Sequence, residues 1–408
     1  MSITSRPAGP RDTVEEFWDE RALRRCIQLA RHVTDGDFLE RFRALLGASG
    51  ELRTTISGRA ALQAFLANTR RAGDGRKQVV LLCSFNCESV CDAVKASGLC
   101  VETFDLADKS GRIDWGTIAA RLRDDHLAIL VPHLFGVPTD FRSLRIPAAE
   151  RGILIIEDCA HTLGGKIGSA QAGTLGDAAI FSFNYDKPIS LGGGGVLLLN
   201  HPELLAQAPA NAAGGSIPEE RREFSAFLAH LRDRREQLET PSLVRRIRRR
   251  LTFPKPRSAP LLPARGFGPL RAALGIWQLE RYAAVREQRD RNAQRFSAIP
   301  GWRSWHVDRD VSPAWLKQKL IPAQPMDTQS VARSLQARGL RVGTFNWPKT
   351  IDRYLSRPEP PNARYVAEFG LDVPIHQEMA QGELQIMAQT LSAACQGLEQ
   401  DKGGFAGE

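Results

Sequence analysis

The sequence predicts an α/β fold: a parallel or mixed sheet covered on both faces, followed by a smaller α+β domain. Three observations predict it. Between residues 51 and 200, short continuous apolar runs alternate with helix-like segments, the pattern of strands buried on both faces and joined by crossover helices. Three of these segments end in, or run directly into, polar and titratable residues, and sheets of this kind hold their ligands at strand ends. After residue 265 the alternation gives way to one long helical stretch and shorter mixed elements.

Residues 1–36 read as an extension ending in a helix, with apolar positions at Val14, Phe17, Trp18, Leu23 and Ile27. DFLERFRALLG is a second helix, stopped by Gly47. TTISGRAALQAFLANTRRAG reads as strand end, turn and helix. VVLLCSF, CVETFDL, LAILVPHLFG, ILIIEDCA and AAIFSF follow as strands, with helices ESVCDAVKASG, WGTIAARLR and SLRIPAAERG between them. These elements make a large domain over residues 37–200. Residues 201–265 break the pattern with Arg-rich and Pro-rich composition and read as a basic insertion. LRAALGIWQLERYAAVREQRDRNAQRF reads as one long helix by its apolar period. WLKQKLIPA, DTQSVARSLQARGL, VGTFNWPKTI and LDVPIHQEMAQGELQIMAQTLSAACQ complete a smaller C-terminal domain over residues 266–408.

Composition narrows the function classes. The chain has 408 residues, 42% hydrophobic and 25% charged, enough for one large domain and a smaller one. No apolar run approaches the roughly 20 residues that span a bilayer, and MSITSRPAGPRDTVEEF has no apolar signal-peptide core. The seven cysteines are odd in number and mostly lie in apolar segments, as reduced thiols of a cytoplasmic protein do. Cys83, Cys87 and Cys91 recur every four residues, but no histidine or further cysteine pair accompanies them; they read as small buried residues, and no metal is expected. The net charge of +9 is concentrated between Arg221 and Arg257, most densely in VRRIRRRL. Such a run suits nucleic acid, an anionic membrane surface or an acidic partner. It lacks a nucleic-acid fold signature and the interleaved aromatics of a stacking platform. No nucleic acid is therefore expected, peripheral membrane contact stays open, and a solvated helix pair reads the same way.

The chemistry gathers at strand ends. In FSFNYDKPISLGGGGVLLLN, Lys187 and four glycines lie between two apolar runs. A desolvated lysine loses affinity for its proton and becomes a Schiff-base nucleophile; a solvated loop lysine fits the same segment. ILIIEDCAH ends in Glu157, Asp158 and His161, and AAIFSFNYDK in Ser182, Asn184 and Lys187. TTISGRAAL sets Ser57, Gly58, Arg59 and Ala60 at a helix N-terminus, where free N–H groups and the helix dipole favour a phosphate and Arg59 adds a fork of donors. A lysine, a carboxylate and a phosphate cradle together suit pyridoxal 5′-phosphate, whose ring nitrogen the carboxylate keeps protonated.

At these residues the chain resembles the DegT/DnrJ/EryC1/StrS group of sugar aminotransferases. The resemblance runs from about Asp37 to Gly397, interrupted by the basic insertion. It rests on FLERFRALLG, SGRAALQAFL, VPHLFGVPTD, IIEDCAHTLGGKIGSAQAGTLGDAAIFSFNYDKPISLGGGGVLL, AALGIWQLER and LDVPIHQEM in that order. It implies the fold-type-I, aspartate-aminotransferase-like architecture. Lys187 would carry the cofactor as a Schiff base and Asp158 would pair with the pyridinium nitrogen. His161 would lie against the ring or its phenolic oxygen. Ser182 would bind the phosphate with Asn184 near it, Gly58 and Arg59 would offer backbone N–H groups, and Glu157 would be structural support. Lys187 sets the chain apart from dehydratase-type relatives in which histidine replaces the lysine.

Two departures stand out. The family often has an aromatic ring in the turn that here reads SFNCESV, where Cys87 takes the position and Phe85 lies two residues earlier. Many members also supply an asparagine from the partner subunit just before the AALG helix; LLPARGFGPLRAALG has none, and Arg265 is the candidate replacement. The resemblance implies transfer of an amino group from glutamate or glutamine to a nucleotide-linked keto sugar, within a cytoplasmic homodimer. A cyclitol or keto acid acceptor fits the same residues, and a non-catalytic scaffold or regulator is the reading from another class.

Overall fold

Continuous apolar runs can only be strands if both faces are covered, and both are. The computed structural model describes residues 20–184, 186–209, 214–226, 265–340, 342–343 and 349–403. The densest part of the basic insertion, VRRIRRRL, and the positions Val14, Phe17 and Trp18 lie outside the described residues. The strands are β1 (Glu51–Thr55), β2 (Val79–Cys83), β3 (Cys100–Phe104), β4 (His126–Pro132), β5 (Leu154–Asp158), the short pair β6 (Lys166–Ile167) and β7 (Ala170–Gln171), then β8 (Ala178–Ser182) and β9 (Gly195–Leu199). Seven of them form one sheet in the order β1-β9-β8-β5-β4-β2-β3. Neighbouring strands from β3 to β8 pair in parallel, whereas β9 is antiparallel to both β8 and β1. The carboxyl ends of β1, β2, β4, β5 and β8 and the start of β9 therefore share one edge.

Side-chain alternation splits the sheet between two cores. Val80 and Leu82 of β2 join Leu62, Phe65 and Leu66 of helix α3 (Gly58–Ala72) and Val90 and Val94 of helix α4 (Glu88–Ala96). Leu81 and Cys83 face Trp115, Phe141 and Leu144 on the other side. A third cluster covers the β8–β9 end. It joins Cys26 of α1 (Glu20–Leu29) and Ala30 just after it, Phe38 and Phe42 of α2 (Asp35–Leu46), Phe181, Leu198 and Leu270. Helix α2 starts at a Thr34/Asp37 capping box and stops at Gly47, φ 59°, the stop that the sequence predicts.

The expected single helix over residues 270–296 is two helices, Pro269–Leu279 and Tyr282–Gln294. The chain turns at Glu280 and Arg281 because two anchors fix its direction there. The Tyr282 hydroxyl donates to Leu163 O at 2.8 Å, and the Arg281 guanidinium lies 4.3 Å from the Trp277 ring. Beyond it, β10 (Trp302–Ser304), β12 (Gln318–Pro322) and β13 (Leu371–Val373) form an antiparallel sheet, and β11 (Val311–Ser312) joins β6 and β7. Helices Thr328–Gln336 and Gln381–Gly403 pack on the three-stranded sheet through Leu335, Leu384 and Met387. Among the described residues no helix is long and apolar enough to cross a membrane.

Candidate active site

A cavity of about 640 Å³ opens at the shared strand edge, and the eight residues expected to hold the cofactor line it: Gly58, Arg59, Cys87, Asp158, His161, Ser182, Asn184 and Lys187; Glu157, Ala60, Phe85 and Arg265 do not. The turn after β1 builds the first wall. Ser57 is extended (φ −168°) and its hydroxyl accepts the Ala60 N–H at 3.1 Å, capping α3. The N–H groups of Gly58 and Arg59 belong to the first turn and have no helical carbonyl to bind. The glycine run holds this turn in place. Gly192, Gly193 and Gly194 have φ of 68°, 132° and 105°, values that side-chain-bearing residues rarely adopt. Gly194 pairs with Ser57, and a Cβ on Gly195 would lie 2.4 Å from Gly58 N. The four glycines thus let the start of β9 close against a helix N-terminus.

The turn after β5 builds the opposite wall. Glu157 is fully buried, and its carboxylate accepts the N–H groups of Gly173, Leu175 and Gly176 at 2.7, 2.8 and 2.7 Å. Thr139 N–H donates to His133 Nδ1 at 3.0 Å, which leaves the ring proton on Nε2 to donate to Glu157 at 2.8 Å. His133, Glu157 and Cys159 bring ligand-type atoms within 4.8 Å of one another, but these hydrogen bonds make the group a structural tie. Asp158, next along the strand, is buried with Oδ1 accepting the Ala160 N–H at 3.0 Å. Burial pushes its carboxyl above the ordinary range, against the pull of that N–H, Lys187 and His133.

His161 is buried, and its Nδ1 accepts the Phe135 N–H at 3.3 Å. Burial, with help from Lys187 and Lys317, holds its pKa well below the ordinary 6.5, so the imidazole is neutral. Phe135 sits in the left-handed region at φ 59°, ψ 15°, a strained setting for an aromatic residue. Its carbonyl accepts the Leu316 N–H at 2.9 Å, and its ring meets Trp305 edge-on at 5.0 Å.

After β8, Lys187 Nζ lies 3.5 Å from Asp186 Oδ1, its side chain 13% exposed. Burial works to raise the pKa of Asp186, but Lys187, Lys317 and His161 outweigh it and hold it at about 2. The ammonium form of Lys187 thus has a carboxylate beside it inside the cavity.

Among the cavity-lining residues that the sequence does not single out are His133, Asp186 and Asn86. Asp186 was signalled by its place beside Lys187. His133 acts through Glu157, 24 residues away, and only the strand pairing reveals it. Cys87 lines the cavity with Sγ 3.0 Å from Ser89 Oγ. Phe85 is fully buried between Phe135 and Trp305 and takes no part in the lining, so it does not replace the missing ring. Arg265 is ion-paired with Glu223 at 3.0 Å.

These residues fit pyridoxal 5′-phosphate. The cavity offers a largely buried lysine, a buried carboxyl with a raised pKa that a protonated ring nitrogen would satisfy, and helix N–H groups for a phosphate.

The comparisons agree with this geometry. The model of the DegT/DnrJ/EryC1/StrS aminotransferase family matches residues 19–229, just over half of the chain. GDP-perosamine synthase of Escherichia coli O157:H7 is 27% identical over 190 residues, covering 46% of this chain and 51% of that protein. The dTDP-3-amino-3,4,6-trideoxy-alpha-D-glucose transaminase of Micromonospora megalomicea subsp. nigra is 32% identical over 132 residues, covering 32% of this chain and 35% of that protein. The chain thus spans about half or less of the length of these curated relatives. Among solved structures, Helicobacter pylori PseC, an aminotransferase involved in the biosynthesis of pseudoaminic acid, superposes with a TM-score of 0.72 at 15% identity, over 95% of this chain and 98% of that one. That likeness shows the fold, which is the fold-type-I architecture expected from the sequence. By the family match over residues 19–229, the chain belongs to the DegT/DnrJ/EryC1/StrS aminotransferase family.

Proposed function

We propose that this chain is a pyridoxal-phosphate-dependent aminotransferase that moves an amino group from glutamate or glutamine to the ketone of a nucleotide-linked sugar, in polysaccharide or natural-product biosynthesis. The observation that carries it is the convergence of Lys187, Asp158 and the α3 N-terminus on one cavity from three separate strand ends. The names of the two curated relatives, both concerned with nucleotide-linked amino sugars, support the acceptor class.

Lys187 Nζ would hold the cofactor covalently, and the N–H groups of Gly58 and Arg59 with the Ser182 hydroxyl would bind its phosphate, Asn184 lying beside them. Asp158 would keep the ring nitrogen protonated, and that cation would relieve the burial that raises its pKa. When bound, the cofactor supplies the electron sink for the carbanion at the donor's α-carbon. Lys187 Nζ, released by the incoming amine, takes the α-proton of the donor as general base. After the keto acid leaves, the same Nζ delivers a proton to the former ketone carbon of the sugar. Neutral His161 packs against the reacting region without adding a cation to it. The reading includes a cytoplasmic homodimer, which light scattering tests: a monomer that turns over would remove the dimer.

Purified wild type with added cofactor is expected to show a visible absorbance band that glutamate or glutamine bleaches. Lys187→Ala should lose the band and at least about 10³-fold in kcat. Initial rates with donor and acceptor varied together should give parallel lines; intersecting lines would overturn the shuttle. A panel of nucleotide sugars, inososes and keto acids decides the acceptor, and turnover of inososes or keto acids alone would overturn the sugar assignment.

A further inference from the structure

Asn86 lies in the turn between β2 and α4, 1% exposed, and forms part of the cavity wall. Its Oδ1 accepts the N–H of Cys87 at 2.7 Å. That bond settles the orientation of the amide, since the reversed orientation would set an NH₂ group against the Cys87 N–H. Nδ2 is left buried with no hydrogen-bond partner among the described residues. No other cavity-lining residue among those described carries such a buried unpaired side-chain atom. The buried histidines that line the same cavity, His133 and His161, are both engaged. An unpaired buried donor is costly in a folded protein and is retained where something else accepts from it. The adjacent Cys87 offers the cavity only a small side chain, so this wall contributes little apolar area.

We propose that Asn86 Nδ2 donates a hydrogen bond to an oxygen of the molecule held in this cavity, making Asn86 a ligand-binding residue. The inference rests on the aminotransferase reading. It identifies the chemistry as an oxygen acceptor, borne either by the pyridine cofactor or by the keto substrate.

The test titrates ligand-free wild type, Asn86→Asp and Asn86→Ala with pyridoxal 5′-phosphate, following the absorbance band and its Kd. Asn86→Asp keeps an acceptor for the Cys87 N–H but replaces the Nδ2 donor by a carboxylate oxygen; Asn86→Ala removes donor and acceptor without adding a charge, and circular dichroism checks that each variant folds. Loss of about tenfold in cofactor affinity in both variants is the expected result and assigns the oxygen to the cofactor. An unchanged cofactor Kd with the KM for the keto substrate raised about tenfold at saturating cofactor also supports the inference and assigns the oxygen to the substrate. Cofactor Kd, band position and KM all unchanged in folded variants overturn it. A wild type that takes up no cofactor ends the functional reading and this inference together, a result distinct from failure of the Asn86 variants alone.

Discussion

After β5, Glu157 accepts three backbone N–H groups and the His133 ring, and His161 accepts the Phe135 N–H. After β2, on the far side of β4 along the same sheet edge, Asn86 keeps a buried donor with no partner among the described residues, and Cys87 starts α4 without a side-chain capping hydrogen bond. The first turn completes its hydrogen bonds within the protein and so holds its shape before any ligand arrives. The second completes them only when something enters. The difference separates residues that hold the cavity open from residues that hold what occupies it.

Removing Glu157 is the most direct way to break that comparison. Glu157→Ala strands the N–H groups of Gly173, Leu175 and Gly176, two of them buried, and the buried His133 ring, and each buried unsatisfied group costs roughly 1–3 kcal/mol. We expect a loss on the order of 3–5 kcal/mol in urea unfolding of the ligand-free protein. A loss within about 0.5 kcal/mol, typical of a surface site, would mean that the β5 turn is not the rigid side of the cavity.

His161 sharpens it through pH. Burial, then Lys187 and Lys317, hold its folded pKa well below the ordinary 6.5, with Asp186 opposing. The unfolded chain takes up a proton at this position as pH falls through about 6.5 and the folded chain does not. Its contribution to stability is therefore fully present above that pH and is lost as pH falls below it. His161→Gln should flatten the acid side of the stability–pH curve by up to about 1.4 kcal/mol per pH unit, read from urea unfolding of ligand-free wild type and variant at pH 5, 6 and 7. Identical slopes would show that the imidazole takes its proton in the folded state as well.

Much of this arrangement was legible in the sequence, for a physical reason. An apolar run that ends abruptly in Glu157–Asp158 or in Ser182–Asn184–Lys187 must leave the core at that point, and strands of one sheet leave it along one edge. Serine before Gly58 marked a helix start, and the glycine run marked a break between two apolar strands, whose left-handed backbone only the structure shows. The hidden parts depend on distance or on a missing signal. The Glu157 ties reach Gly173–Gly176 and His133 across separate segments. The antiparallel course of β9 is invisible in VLLLN, because a strand buried on both faces reads the same in either direction. The bend at Glu280–Arg281 has no glycine or proline to announce it. Asn86 gives no signal in the sequence, because its meaning lies in the partner that Nδ2 lacks among the described residues.

The smallest expected effect tests the open turn itself. Cys87 lines the cavity where related proteins often place a ring, and its Sγ contacts only the Ser89 hydroxyl among the hydrogen-bond partners described. Aromatic stacking adds about 0.5–1.5 kcal/mol beyond buried area, so Cys87→Phe should tighten cofactor binding by roughly two- to tenfold, measured by the same absorbance titration. Unchanged or weaker binding would place the bound ring away from this wall. Combining Cys87→Phe with Asn86→Ala then separates two ways of holding one molecule. If both side chains touch the cofactor, the double variant should depart from the sum of the singles by at least about 0.5 kcal/mol, as residues sharing a partner do. Strict additivity would mean that ring and amide act on the bound molecule independently of each other.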